Sequence, residues 1–262
     1  MSSDALSSLF GLEGKTALVT GGSRGIGYMI AGSLLDAGAT VMISSRDAEA
    51  CQEAADRLAE RGPCTGFAGD VSTTDGCEAL AEEVQSRHES LDILVNNAGA
   101  SWGAPLDDHP VEGWDKVMDT NVRGPFFLTQ KLLPLLTATA SAEDPARVIN
   151  IGSVDGITSP PWPSFAYSSS KAAIHMLTRH MARDLAPRHI LVNAIAPGLF
   201  ESKMTAFMFD DGPVESEALR RIPLGRIGSP DEIGGSVVWL SSRAGAYLTG
   251  AVIPVSGGYA IL

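Results

Sequence analysis

Basic residues are scarce in this chain. Lysine and arginine number 19 against 31 aspartates and glutamates, a formal net charge of −12. That balance repels phosphate backbones and anionic lipid surfaces, and it argues against nucleic acid or a membrane as partner. Cysteine is sparse too: Cys51, Cys64 and Cys77 form an odd set with no C-x-x-C pair and no histidine at metal-ligand spacing. Neither a disulfide framework nor a metal site is expected, whereas a reducing compartment is. No apolar run approaches the ~18 residues of a membrane span. The start, MSSDALSSLFGLEGK, has neither a basic cluster nor a long apolar stretch, so a cytoplasmic location is expected. Repeats and Pro/Ser-rich linkers are missing as well. What is present is 44% hydrophobic residues over 262 positions, enough for one large core, and residues 1–262 are expected to form a single domain.

Short β-branched runs alternate with segments of helical period from Thr16 onward. Seven strands are expected at 16–20, 40–44, 65–68, 92–96, 147–152, 190–196 and 251–255. Runs such as DILV, RVINI and ILVNAIA are nearly all apolar, as strands covered by helices on both faces must be. Segments 26–37, 49–60 and 78–86 read as crossover helices, and 114–136 as a long amphipathic one. The pattern is α/β: a doubly wound, Rossmann-like parallel sheet of seven strands with helices on both faces. Residues 198–230, broken by Gly and Pro and holding a MTAFMF cluster, are too irregular for an ordinary connection and are expected to be a lid over the substrate.

Directly after the first strand stands Thr20-Gly21-Gly22-Ser23-Arg24-Gly25-Ile26-Gly27, followed by a helix. Gly21 permits the tight turn, Gly25 lets backbone approach a pyrophosphate and Gly27 allows close helix–sheet packing, while the helix N-terminus favours negative charge; this is a dinucleotide site. The spacing Gly-x-x-x-Gly-x-Gly, with Asn96-Asn97-Ala98-Gly99 after the fourth strand, Asn121 opening NVRG in a long helix, Ser153 ending the fifth strand and Tyr167-Ser-Ser-Ser-Lys171 opening the next helix, resembles the short-chain dehydrogenase/reductase family. Pro197-Gly198 and Ser256-Gly257-Gly258-Tyr259 extend the resemblance from about Gly11 to Leu262.

Tyr167 and Lys171 lie four apart, on one helical face. A free tyrosine titrates near pH 10, and a nearby ammonium is expected to favour tyrosinate and bring it toward the neutral range. In carbonyl reduction Tyr167 would donate a proton as hydride arrives, and Ser153 would hold the carbonyl oxygen. The resemblance further implies that Lys171 contacts the nicotinamide ribose and that Asn121 holds a water in a proton relay. It places cofactor contacts on Gly21, Ser23, Arg24, Gly25, Ile26, Gly27, Asn97, Ala98, Gly99, Tyr167, Lys171, Pro197, Gly198, Phe200 and Ser202, with Asp70-Val71 against the adenine.

At the end of the second strand the chain reads Ile43-Ser44-Ser45-Arg46, with no carboxylate where NAD enzymes hold the ribose 2′-hydroxyl. Arg46 and Arg24 can pair with a 2′-phosphate, which favours NADP(H); the alternative is that Arg46 is a solvated helix-start residue beside Asp47. Within the family, phrases such as TGGSRGIGYMIA and LTGAVIPVSGGY look most like the bacterial 3-oxoacyl reductases, particularly the rhamnolipid-biosynthesis branch. That implies 3-oxoacyl thioesters as substrate, carried by acyl carrier protein or coenzyme A, and a homotetramer. Trp102, Trp162, Phe165, Phe200, Phe207, Met208 and Phe209 are candidates to surround an acyl chain or bulky ketone, or equally are core and interface residues. Arg179, Arg183 and Arg188 form a candidate basic strip for a carrier. Two other readings stand beside this one: a dehydrogenase or reductase of another alcohol or ketone, and a dinucleotide sensor without catalysis.

Overall fold

Strands buried on both faces need helices on both sides, and the chain supplies them in alternation. A computed structural model describes residues 3–202 and 219–261. After α1 (Ser3–Phe10) come β1 (Thr16–Thr20), α2 (Gly25–Asp36), β2 (Thr40–Ser45), α3 (Ala48–Leu58), β3 (Cys64–Ala68), α4 (Thr74–Arg87) and β4 (Ile93–Asn96). Then follow α5 (Val111–Met118), α6 (Gly124–Ala138), β5 (Ala146–Ile151), α7 (Phe165–Leu185), β6 (Ile190–Pro197), α8 (Pro230–Ser241) and β7 (Val252–Val255). The strands form one seven-stranded sheet in the order β3-β2-β1-β4-β5-β6-β7, every pair parallel. All seven expected strands are there, within one residue at each end.

The period-2 alternation explains why those strands look continuously apolar. Ala17, Val19, Val41, Ile43, Ile93 and Val95 enter one core with Ile30 and Leu34 of α2, Leu58 of α3 and Val237 and Leu240 of α8. Their neighbours Leu18, Met42, Leu94 and Val148 point oppositely, into a second core with Leu80 and Val84 of α4, Leu128 and Leu132 of α6 and Leu185 of α7. Each fully buried Leu or Ile contributes about 1.5–3 kcal/mol. Four of the buried polar side chains are linked in a chain: Asn96 Nδ2 donates to Asn150 Oδ1 at 2.9 Å and to Thr129 Oγ1 at 3.2 Å, and Asn150 Nδ2 donates to Thr178 Oγ1 at 2.9 Å. It ties β4 and β5 to α6 and α7 near the strand ends that bear the site.

Three boundaries differ from the sequence reading. Helix α4 starts before the expected 78 because the Thr73 side chain accepts from Gly76 N and caps it. The stretch 114–136 is interrupted by a π-helical turn at Asp119–Arg123. Ser153 does not end β5, which stops at Ile151; it caps a short 3-10 turn, Val154–Gly156, its Oγ accepting from Asp155 N at 3.1 Å. Of the expected lid, 203–218 lies outside the described residues; its flanks meet where Phe200 bridges Gly228. Among the described residues no helix is long and apolar enough to cross a membrane.

Candidate active site

The order of strands reverses between β1 and β4, and parallel sheets open a crevice at such a point, outside the C-terminal strand ends. A cleft of about 580 Å³ lies there. Gly21, Ser23, Arg24, Gly25, Ile26, Gly27, Arg46, Asp70, Val71, Asn97, Ala98, Gly99, Ser153, Tyr167, Lys171, Pro197, Gly198, Phe200 and Ser202 all line it. Of the catalytic and cofactor-contact residues expected from sequence, Asn121 alone stands behind the wall. It sits in the π turn, 2% exposed, its Oδ1 accepting from Ala100 N at 2.8 Å and its Nδ2 donating to Ala100 O and Ser170 Oγ, both at 2.9 Å. It fastens the loop after β4 to the helix that carries Tyr167 and Lys171.

The first βα turn needs glycine for two different reasons. Gly21 has φ +66°, which only glycine adopts freely, and its N–H donates to Ser44 O at 2.7 Å. At Gly27 a Cβ would lie 2.4 Å from both Asn97 Nδ2 and Gly21 O, so a side chain there would push α2 off the sheet. Asn97 in turn donates from Nδ2 to Thr20 O (2.8 Å) and Gly21 O (3.2 Å), bolting the Asn-Asn-Ala-Gly turn to the end of β1. The first amides of α2 therefore face the cleft without a side-chain cap from Arg24, an arrangement suited to an anion. Arg24 in this turn and Arg46 just beyond β2 are both exposed on the cleft wall. Asp47 is occupied: its Oδ1 accepts from Ala50 N at 3.1 Å and caps α3. Asp70 is held by Ser72, whose N–H and hydroxyl both donate to Oδ1.

At the other end Ser153, Tyr167 and Lys171 come together. The Lys171 ammonium, 5% exposed, donates to Ile151 O at 2.8 Å and stands 5.5 Å from the centre of the Tyr167 ring. Burial brings Lys171 down to about 8, against the pull of Asp155. Tyr167 departs from expectation in direction: burial pushes the phenol up to about 12, a Ser153 hydrogen bond opposes this and the Asp155 carboxylate adds to it. The ammonium is committed to a carbonyl rather than to the phenol oxygen, so it does not pull the tyrosine down. A phenol that keeps its proton is a donor, which suits reduction.

Sequence reasoning missed several residues. Lys116 and Thr120 line the cleft, one helical turn apart, and Lys116 Nζ lies 5.5 Å from the Trp102 ring. Asp155, two positions past Ser153, is pushed up to about 6 by burial, with a Trp162 hydrogen bond and Lys171 opposing. Its signal was a carboxyl inside a catalytic motif. His175 continues the four-residue series Tyr167, Lys171, His175. Of the candidate aromatics, Phe200 lines the cleft, Trp102, Trp162 and Phe165 lie outside its lining, and Phe207, Met208 and Phe209 fall outside the described residues. Among the described residues no group of three or more His, Cys, Asp or Glu is placed to hold a metal ion.

Asp155 and His175 have opposite effects on acid stability. His175 is held down to about 4, mainly by burial, from an ordinary 6.5, so the unfolded chain takes its proton first and stability falls as pH drops through that interval. Asp155 titrates near 6 folded and 3.8 unfolded, so the folded chain takes its proton first and stability rises as pH drops from 6 to 3.8. Each full proton is worth about 1.4 kcal/mol per pH unit, and the two slopes offset each other between about 4 and 6. We expect Asp155→Asn to lose its urea midpoint more steeply than the parent between pH 6 and pH 4; parallel curves would refute the assignment.

The family profile described as Enoyl-(Acyl carrier protein) reductase matches residues 21–260. The chain is 52% identical to the rhamnolipids biosynthesis 3-oxoacyl-[acyl-carrier-protein] reductase of Pseudomonas aeruginosa, over 95% of this chain and 98% of that one. It is 36% identical to the 3-oxoacyl-[acyl-carrier-protein] reductase FabG of Aquifex aeolicus, over 94% and 98%. The solved Pseudomonas aeruginosa RhlG/NADP active-site complex superposes with a TM-score of 0.95 at 51% identity, covering 97% of this chain and 99% of that one. With the glycine turn, the Asn-Asn-Ala-Gly turn and the Ser, Tyr and Lys side chains gathered in one cleft, the chain belongs to the short-chain dehydrogenase/reductase family.

Proposed function

We propose that this protein is an NADP(H)-dependent reductase that converts the 3-oxo group of acyl thioesters to a hydroxyl. The observation that carries the reading is one continuous cleft running from two exposed arginines to a proton-holding phenol. A dinucleotide fits the residues present: glycine at 27 lets α2 begin tight against Asn97 and the Gly21 turn, and the first amides of that helix, without a side-chain cap, would meet its phosphates. Arg24 and Arg46 would take a ribose 2′-phosphate, and Asp70 and Val71 the adenine side. When bound, the nicotinamide supplies hydride to the carbonyl carbon.

The chain's own groups do the rest. The Ser153 hydroxyl orients the carbonyl oxygen, and Tyr167 Oη gives that oxygen its proton as negative charge builds there. Lys171, tied to Ile151 O, stands 5.5 Å from the centre of the Tyr167 ring, and Asn121 fastens the loop after β4 to the helix that carries both. Relatives at 52% and 36% identity bear the name 3-oxoacyl reductase, which supports the thioester class. Arg179, Arg183 and Arg188 are exposed along and after α7, a strip that suits an acidic carrier. A monomeric mass in solution would refute the homotetramer we also propose; exposed Phe126 and Met176 on α6 and α7 support that assembly. Three thiols, two of them buried, support a reducing cytoplasm.

The test is loss of NADPH absorbance with acetoacetyl-CoA and with an unrelated ketone, each repeated with NADH. Fast NADPH-dependent turnover of the thioester is expected. Turnover of the other ketone alone would favour the second reading, a reductase of a different alcohol or ketone. Cofactor binding with no turnover of any ketone would favour the sensor.

A further inference from the structure

Between Ile151 and Gly156 the chain leaves β5, presents Ser153 to the cleft and returns against α7. That return is held at three points, all on one stripe of α7. Lys171 Nζ donates to Ile151 O at 2.8 Å. A Cβ at Gly156 would lie 2.5 Å from the Lys171 carbonyl carbon, so the turn rests directly on helix backbone. The third point is His175, one helical turn beyond Lys171 and 4% exposed. Its Nε2 and Cδ2 abut Gly152: a Cβ there would stand 2.1 Å from Nε2 and 2.7 Å from Cδ2. The Gly156 carbonyl hydrogen-bonds the imidazole, while Nε2 is buried with no hydrogen-bond partner.

A leucine would fill such a space without stranding a polar atom. The imidazole therefore supplies something that packing alone would not. We propose that His175 is a positioning residue for the reaction: wedged between Gly152 and Gly156, it fixes the Ser153 hydroxyl relative to the Tyr167 phenol carried on its own helix. The neutral ring, held below its ordinary range by burial and by Lys171 and Arg179, keeps the one hydrogen bond it makes to backbone. Displacing Ser153 by as little as 1 Å spoils the angle at which it and Tyr167 meet one carbonyl oxygen, a loss on the order of 10²-fold in rate.

The proposal rests on the reductase reading, whose own failure shows as a parent protein without turnover on any ketone. Given an active parent, His175→Leu is expected to lower kcat about tenfold or more while KM and the NADPH dissociation constant, read by nucleotide fluorescence, stay within about twofold. At least one of His175→Asn and His175→Gln, which keep a donor for the Gly156 carbonyl, should recover most of the loss. A purely space-filling role predicts the reverse ranking, with Leu best. Gly152→Ala gives a second test that does not depend on how His175→Leu folds: its methyl displaces the ring in the parent, but lowers kcat little further in a His175→Ala background, where the ring is gone and the next atom is Ile195 O at 3.2 Å. Parental kcat in His175→Leu, amide variants worse than Leu, or additive losses in the Gly152 pair would each overturn the proposal.

Discussion

Tyr167→Phe is expected to reduce turnover about 10²–10⁴-fold, the usual contribution of a positioned proton donor, while NADPH binding changes little. Phenylalanine keeps the ring and its contact with the Lys171 ammonium, 5.5 Å from the ring centre, and removes only the hydroxyl that Ser153 meets. Because that phenol titrates near 12, the parent's reduction rate should not lose its donor anywhere in the neutral range; the proton is present until pH approaches that value. The reverse reaction, alcohol oxidation, needs the phenolate and should rise with pH over the same interval. A variant that retains turnover would sink the assignment of Tyr167 as acid, and equal pH dependence in both directions would show that another group delivers the proton.

The second large effect concerns the choice of cofactor. Replacing Arg24 and Arg46 together with alanine should raise KM for NADPH and leave KM for NADH nearly unchanged. Two charge-assisted hydrogen bonds at about 1.5–3 kcal/mol each correspond to roughly 10²–10⁴-fold. Both side chains are exposed, so solvent screening holds the effect toward the lower end. NADH should not improve in the variant, because the nearby carboxylate, Asp47, is already the cap of α3 through Ala50 and offers nothing to a 2′-hydroxyl. Equal losses for both nucleotides would mean that the arginines meet the shared pyrophosphate instead.

Much of this was legible beforehand, and the reason is burial. Strands such as Ile93–Asn96 and Ala146–Ile151 are enclosed on both faces, so their composition alone reveals them. The glycine turn was readable because its backbone demands are local, and Tyr167 and Lys171 because helical spacing is. The π turn around Asn121 carries no residue that announces it; it comes from how α5 and α6 are fitted over the sheet. The direction of the Tyr167 shift was misread for a similar reason. Spacing placed an ammonium near the phenol, but it did not show that the ammonium would be claimed by Ile151 O or that Asp155 would stand close by. His175 carries no such signal, because a histidine on a helix has no meaning until the loop that rests on it is known.

The reversal of strand order between β1 and β4 also bears on how the chain folds. Thr20 and Asn97 are 77 positions apart, yet their hydrogen bonds seal the seam on which the glycine turn stands. Closing a loop of that length costs about 4 kcal/mol of chain entropy beyond a constant term, and nothing repays it until β4 docks beside β1. During synthesis β1, β2 and β3 must wait with an open edge until Asn96 has emerged. The crevice therefore exists only once the two half-sheets have joined, so a nucleotide that bridges it selects the joined state. At a hundred times its dissociation constant such a ligand adds about 2.7 kcal/mol to the folded chain, acting as a clasp across that seam.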